Sequence, residues 1–541
     1  KKDRDWVRAN GAAGTGGSAG GATGKGIATR VVVKSYKTLL DDSIQLSKSL
    51  KQPALAGALP GLFVALTGGK PLEGFDIKRP IVITFHVDGK GEPLGAMVAV
   101  PVEGKEKFQK TLDAVFPPKT SPKGKAYEIP MLGKSVYAKP GERYFLLSDV
   151  PALVAAAKAD PPDPVAVADV AIESLLDAVP EELRAAALAQ FESGFDASMA
   201  GVPRDPTTPP AQAEAERRSQ EATAAWVKKT VRSITTDGDR STVEVNLDPE
   251  TKRVSLAVSV RARPGTALAE GFASYGAIRP GFAAAGDADA LAWVGVSSPT
   301  GEWLKMALGL IFESGIEGMK SAAADAAARG GAAIPPQGQA VLDGIEKASR
   351  KMMATPNLEV EVMVAADGAG KPRIVSRTTA EGATDLFAAL AKIGGLDPAG
   401  PSPPDADGVM AMPVPPGAPP SMGLLDVPVR VASGGSSVVM GFGCADNAPV
   451  KKLLTAPGTA ASAAPVSAWV DVAKLWPIVV ANDPGGLLSD TADAVGGEGM
   501  FRLDLGALKD GIELRLNVDD GVLQLLGRVA EKMAEIGRAH V

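Results

Sequence analysis

The stretch Ile81–Val102, IVITFHVDGKGEPLGAMVAVPV, alternates apolar and polar residues on either side of a break rich in Asp, Gly and Pro. Alternation is the period of a half-covered strand, and such a break between two runs marks a β-hairpin. The pattern returns in STVEVNLDPETKRVSLAVSVRAR (Ser241–Arg263), NLEVEVMVAADGAGKPRIVSRTT (Asn357–Thr379) and GMFRLDLGALKDGIELRLNV (Gly499–Val518). Each hairpin runs on into helical sequence. Antiparallel sheets with one face on a core and one face polar follow from this. In Ile81–Asp88 that reading puts Ile81, Ile83, Phe85 and Val87 on the core face and Thr84, His86 and Asp88 on the wet one.

Outward from the hairpins, other stretches also recur. VAVADVAIESLL (Val165–Leu176) matches SAWVDVAKLWPI (Ser467–Ile478) as a short strand, an Asp (Asp169, Asp471) and an amphipathic helix. YFLLSDVPALVAAAK (Tyr144–Lys158) matches VVMGFGCADNAPVKKLL (Val438–Leu454): strand, turn, helix. Here Asp149 and Asp446 suit caps, and Pro151 and Pro449 suit the first helical turn. ALAQFESGFDASM (Ala187–Met199) and ALGLIFESGIEGM (Ala307–Met319) each open a helical hairpin, continued by helices at Ala213–Ile234 and Val341–Met353.

The expected fold class is α+β, with antiparallel sheets and helices packed on one face. The repeating unit is strand, helix or helical hairpin, β-hairpin, helix, starting near Val31, Val165, Leu291 and Val466. The first and third units add a strand pair, in Tyr127–Ser148 and Val427–Gly443. Two domains of two units each result, residues 31–283 and 288–534, with the break in IRPGFAAAGDADA (Ile278–Ala290). Residues 1–30 have the Gly/Ala-rich composition of a flexible linker, and residues 397–423 form a Pro-rich surface loop.

This layout resembles a group of uncharacterised exported proteins common in planctomycete bacteria. The likeness rests on VVVKSYKTLLDD (Val31–Asp42), KRPIVITFHVDG (Lys78–Gly89) and the strand–Asp–helix joins, and it covers most of residues 31–534. The resemblance implies export by a signal peptide, to the periplasm or cell envelope, and implies no catalytic residues. Any such peptide lies upstream of Lys1. At the other end, EIGRAHV (Glu535–Val541) resembles the translation of a widely used DNA sequencing adapter. The sequence thus reads as a fragment. Residues 535–541 are expected to form a surface tail beyond a helix whose core stripe is Val522, Leu525, Leu526, Val529 and Met533.

Composition narrows the function. The 541 residues are 45% apolar and only 5% aromatic, with net charge −6, so a core of Ala, Val and Leu forms. No Lys/Arg cluster suits a nucleic-acid backbone. No apolar run is long enough to span a bilayer; the nearest, LAGALPGLFVALTGG (Leu55–Gly69), is cut by Pro60 and reads as a buried helix. With two histidines (His86, His540) and one cysteine (Cys444), a zinc site and a Ser–His–Asp triad both lack ligands. Asp248 and Asp519–Gly521 read as turns or caps rather than calcium loops. Gly24–Lys25 has no following Ser/Thr for a phosphate loop. Asp169 and Asp471 read as helix caps, and Cys444 as a buried small residue.

No catalytic, cofactor-binding or metal residue is nominated, and no cofactor is expected. The expected role is that of a non-enzymatic exported envelope protein, structural or binding, with a protein or an apolar small molecule as partner. One alternative is a carrier of lipid or another apolar ligand, held between sheet and helices by Leu55–Leu66, Leu304–Ile316 and Val522–Val529. The other is a carboxylate-dependent hydrolase.

Overall fold

The computed structural model describes residues 26–67, 69, 73–119, 126–131, 134–158, 160, 168–200, 210–278, 280–282, 289–299, 336–355, 357–366, 370–393, 404–412, 427–456, 464–481, 491, 495 and 499–539. Among them are twelve α-helices and eighteen strands, and every registered strand pairing is antiparallel. The fold is α+β.

By compactness the chain forms two units. The first falls within Lys1–Ala189, Ile234–Ala273 and Ala507–Glu513, the second within Gln190–Ser233, Ser274–Gly506 and Leu514–Val541.

The first unit contains β1 (Gly26–Val33), β2 (Ile81–Val87), β3 (Pro93–Pro101), β4 (Tyr127–Met131), β5 (Lys134–Pro140), β6 (Tyr144–Ser148), β7 (Val170–Leu175), β8 (Gly238–Leu247) and β9 (Val254–Ala262). Their hydrogen-bonded order is β9-β8-β7-β1-β2-β3-β6-β5-β4. Helix α1 (Tyr36–Ser49) begins on Ser35, whose hydroxyl accepts from the Thr38 N–H at 2.9 Å, a cap contributing about 1 kcal/mol. Helix α3 (Lys105–Val115) lays Phe108 and Leu112 on Phe145, Ile129 and Tyr127. The Phe108 and Phe145 rings meet edge to face at 5.2 Å, worth about 0.5–1.5 kcal/mol beyond the area they bury. Tyr36 of α1 packs on the same face of the sheet. On the opposite face Ala99, Tyr144 and Leu146 are buried with Ala157.

The second unit contains β10 (Ala290–Pro299), β11 (Asn357–Ala366), β12 (Pro372–Thr379), β13 (Val409–Met412), β14 (Val429–Gly434), β15 (Ser437–Phe442), β16 (Val466–Asp471) and most of β17 (Met500–Leu508) and β18 (Gly511–Val518), apart from their joined ends at Ala507–Glu513. The order is β18-β17-β16-β10-β11-β12-β15-β14-β13. Each strand of the first series has its counterpart nine strands later. One face is covered by helices Pro336–Ala354 and Ala383–Ile393 through Met352, Ala383 and Leu386. The other holds Trp293, Met363, Val375 and Val439, with Cys444, Val450 and Leu453 at and beyond the start of helix Ala448–Thr455.

Several expectations are corrected. The strand near Val165 follows Asp169 instead of preceding it, as Val170–Leu175, and no α-helix starts at Asp169. Residues 397–423 are not wholly loop: Val409–Met412 is a strand on β14, with Val409 and Met410 buried. The apolar pair in VMAM, flanked by Pro, found a strand partner. The described part of that stretch is 404–412. The extra strands of Tyr127–Ser148 number three, not two.

Midway along β2 the environments are the reverse of those expected: Thr84 is 6% exposed and Phe85 45%, although Ile81, on the side of Phe85, packs against the core. Helix α2 (Pro53–Thr67) forms through Pro60 but is not buried. The C-terminal helix α12 (Asp520–Ala539) continues past Ala534 and through Gly537, because one Gly costs only ~1 kcal/mol in a helix. It buries Val522, Leu523 and Leu525, whereas Leu526 and Met533 are exposed. The expected helix from Ala307 and the stretch Leu304–Ile316 lie outside the described residues, as do residues 1–25; the last five residues of the linker expected over 1–30 are not linker but the start of β1, Gly26–Arg30.

Candidate functional site

The polar cluster with the most chemistry lies at the end of β1. The Lys34 N–H donates to the Asp169 carbonyl at 2.9 Å, and its ammonium reaches the Asp169 carboxylate at 3.2 Å. The other carboxylate oxygen accepts from the Leu247 N–H at 2.8 Å, and the Asp169 N–H donates to the Asn246 side-chain oxygen at 3.1 Å. Asp169 is buried, while Lys34 keeps half its side chain in water. Asp42, on α1, is half-buried beside them. Burial raises its carboxyl to about 6, the Asp169 charge adds to the rise, and Lys34 opposes it. The Lys34 ammonium bonds Asp169 and acts on Asp42 through its charge. A carboxyl exchanging its proton near pH 6 beside a fixed carboxylate has the elements of an acid–base pair.

Asp169 was singled out from the sequence, but Asp42 and Lys34 were not. Both stand in VVVKSYKTLLDD, where the signal was a Lys after a strand and an Asp within the helix that follows. Asp471 does not correspond to Asp169. In the first unit Lys34 N–H bonds Asp169 O; at the matching register of the second, Ser297 N–H bonds Pro465 O at 2.6 Å. Pro465 therefore stands where Asp169 does. Asp471 ends β16 and accepts from the Lys474 N–H at 3.2 Å, as a helix cap.

The second unit buries an ion pair between two strands of a hairpin. Glu361 and Arg377 face each other across β11 and β12, with Nε to Oε1 at 2.7 Å and both side chains almost wholly covered. The Trp293 indole N–H donates to Glu361 at 3.4 Å. Glu359 accepts from the Gly281 N–H at 2.9 Å and the Ser297 hydroxyl at 3.2 Å. Arg377 donates to the Gly281 carbonyl. Opposite charges at paired hairpin positions were the readable sign. At the matching register of the first unit stand Val82 and Ala99.

His86 bonds the Thr84 hydroxyl at 2.9 Å, and burial pushes its pKa down. It pairs with Gly95 at a bulge. Gly95 has φ 146°, and a Cβ there would meet Val150 Cγ2 at 2.6 Å, so only Gly fits. Asp88 accepts from the N–H groups of Lys90 and Glu92, closing the turn. Asp248 does the same for Glu250 and Thr251. Asp519 accepts from the Met500 N–H at 3.2 Å. Asp446 accepts from Ala448 N–H at 2.8 Å; Asp149 does not cap the helix after it, whose N-cap is Val150 with no side-chain cap bond, and the Ser148 hydroxyl accepts from the Val150 N–H at 3.0 Å. Cys444 is buried among Gly441 and Val450, and burial raises its thiol, the reverse of activation.

Among the described residues no group of three or more His, Cys, Asp or Glu is placed to hold a metal ion, and no helix is long and apolar enough to cross a membrane.

The most unusual surface is α2, PALAGALPGLFVALT. It carries no charge, yet Leu62 is 56% and Val64 58% exposed. Apolar side chains are also exposed on the sheet. Phe85, Ile172 and Val245 share one face of the first unit by register, the face on which Tyr36 packs, and all three are exposed.

Comparison of the chain with protein-family models, with curated proteins and with solved structures gives no match.

Proposed function

We propose that the chain is a non-enzymatic exported protein of the cell envelope, with a binding role. The observation that carries this reading is α2, an uncharged apolar helix held at the surface of a packed α+β unit. Leaving a Leu in water forgoes about 1.5–3 kcal/mol of burial, and several such residues on one helix mark a surface that works by being covered. The carboxylates favour the same reading. Asp169 is engaged by Lys34 and a backbone N–H, and Glu361 by Arg377 and Trp293. The test is fractionation of cells of the source organism, probed with antibody to the chain. Recovery with the envelope is expected; recovery with the cytosol overturns the reading.

A second reading, a carrier of an apolar ligand, draws support from Phe85, Ile172 and Val245 on one sheet face. Extraction of the purified protein with organic solvent, followed by mass spectrometry, decides it: a stoichiometric lipid identifies a carrier. The hydrolase alternative rests on Asp42 and Asp169, and turnover of a glycoside or ester lost in Asp42→Asn would establish it.

A further inference from the structure

We propose that α2 is a lipid-contacting element that beds into one leaflet of a phospholipid bilayer, with Lys48 and Lys51 at the anionic headgroups. The proposal deepens the envelope-binding reading above and rests on it.

The geometry of exposure separates lipid from a protein groove. At 3.6 residues per turn, the exposed positions Pro53, Val64, Ala54, Ala58, Leu62 and Leu55 fall at roughly 0, 20, 100, 140, 180 and 200° around the axis. Among the residues of α2 whose burial is described, Ala56, Leu59 and Pro60, on the remaining arc, are half-covered. A helix that docks in a protein groove offers one apolar stripe and keeps a polar back. The exposed, uncharged arc of this one spans roughly 200°, so a partner must wrap more than half of its circumference. Acyl chains do that; the flat face of a second copy does not.

Length sets the depth. Fifteen residues at 1.5 Å each give about 22 Å, short of the ~30 Å hydrocarbon core, so the helix lies within one leaflet. Charge sets the orientation. The last turn of α1 carries Lys48 and the link to α2 carries Lys51, both exposed, and the 15 residues of α2 carry no charge. Lysines at the edge of an apolar helix reach the headgroups while their stems stay on apolar surface. Lys51 is fixed there by the backbone: its φ is 53°, and the Gln52 N–H bonds the Ser47 carbonyl at 3.0 Å, closing the end of α1.

The experiment measures partition of the full chain onto vesicles of phosphatidylcholine and phosphatidylglycerol (3:1) by flotation. The wild type is expected to float. Leu62→Asp/Val64→Asp, at exposed positions, is expected to lose at least tenfold in partition with an unchanged melting curve. A fluorophore on Leu62→Cys should shift to the blue and be quenched by spin-labelled lipid; one on Glu92→Cys should not. Cys444 is buried and is spared by the label. Lys48→Gln/Lys51→Gln should weaken binding severalfold on the anionic vesicles and leave it unchanged on pure phosphatidylcholine. The proposal is overturned if the wild type stays in solution, if the aspartate variant floats as well as the wild type, or if the wild type sediments as a dimer that the variant dissolves. Equal losses for the lysine variant on both vesicles overturn the headgroup assignment. Envelope fractionation together with failure to float would reject the lipid and keep the envelope role.

Discussion

The Arg377 guanidinium and the Glu361 carboxylate meet at 2.7 Å inside the second unit, at the sheet position where the first unit places Ala99 and Val82. The same register therefore accepts an ion pair in one sheet and two apolar side chains in the other. Removing one partner of a buried pair strands the other charge, at a cost of about 3–5 kcal/mol, whereas replacing both by apolar groups is often neutral. Glu361→Met and Arg377→Met are each expected to lower stability by about that amount. The double variant should recover most of the loss. Urea unfolding of the four proteins gives the coupling directly, and additive losses would contradict it.

Asp42 predicts a pH dependence of definite sign. Its folded value, about 6, lies above the ordinary carboxylate value, so the folded state holds the proton more tightly than the unfolded one. Stability from this group is full below about pH 4 and is lost as pH rises through 6. Asp42→Asn should remove that loss. With the site half in water, screening leaves a gain of about 1 kcal/mol at pH 7 and no gain at pH 4. Thermal melts at the two pH values check it.

His86 acts in the opposite direction. Burial depresses its folded pKa, so the unfolded chain takes up the proton first. The contribution is intact above the ordinary histidine value of about 6.5 and declines as pH falls through it. His86→Gln, which keeps a partner for Thr84, should flatten the stability curve between about pH 7 and 5. A curve as steep as that of the wild type would show that His86 is not the titrating group.

Lys51 occupies the left-handed region, φ 53°, at the close of α1. That conformation costs a side-chain-bearing residue roughly 1–2 kcal/mol, and Gly occupies it freely. After the entropy Gly adds to the unfolded chain, Lys51→Gly should stabilise by about 0.5–1 kcal/mol. Lys51→Val should destabilise. Equilibrium unfolding separates the two.

Much of the fold was legible because hairpins write their period locally. The four quoted stretches are β2–β3, β8–β9, β11–β12 and β17–β18, and Pro151 and Pro449 sit in first helical turns as read. What alternation does not encode is which face a neighbour covers. Thr84 and Phe85 were assigned to the right sides of β2 but to the wrong environments, and Glu361, a charged residue in the alternation of β11, is buried. Leu525 and Leu526 show the helical version: both fit a stripe, and packing buries only the first. The match of Asp169 to Asp471 followed shared letters, whereas strand register equates Asp169 with Pro465, six residues earlier. Asp42 was missed because its chemistry arises from Asp169 and Lys34, which the fold brings to it from other elements.

On the reading proposed above, α2 is the surface by which the protein engages the envelope. The direct measurement is the rate at which a bulky maleimide modifies Leu62→Cys, in purified protein and in envelope preparations from cells that make it, with Glu92→Cys as reference. Leu62 is open in the structure, so rapid modification of the purified protein is expected. In the envelope the rate at position 62 should fall at least fivefold, with position 92 unchanged. Equal rates at position 62 in the two preparations would contradict the account.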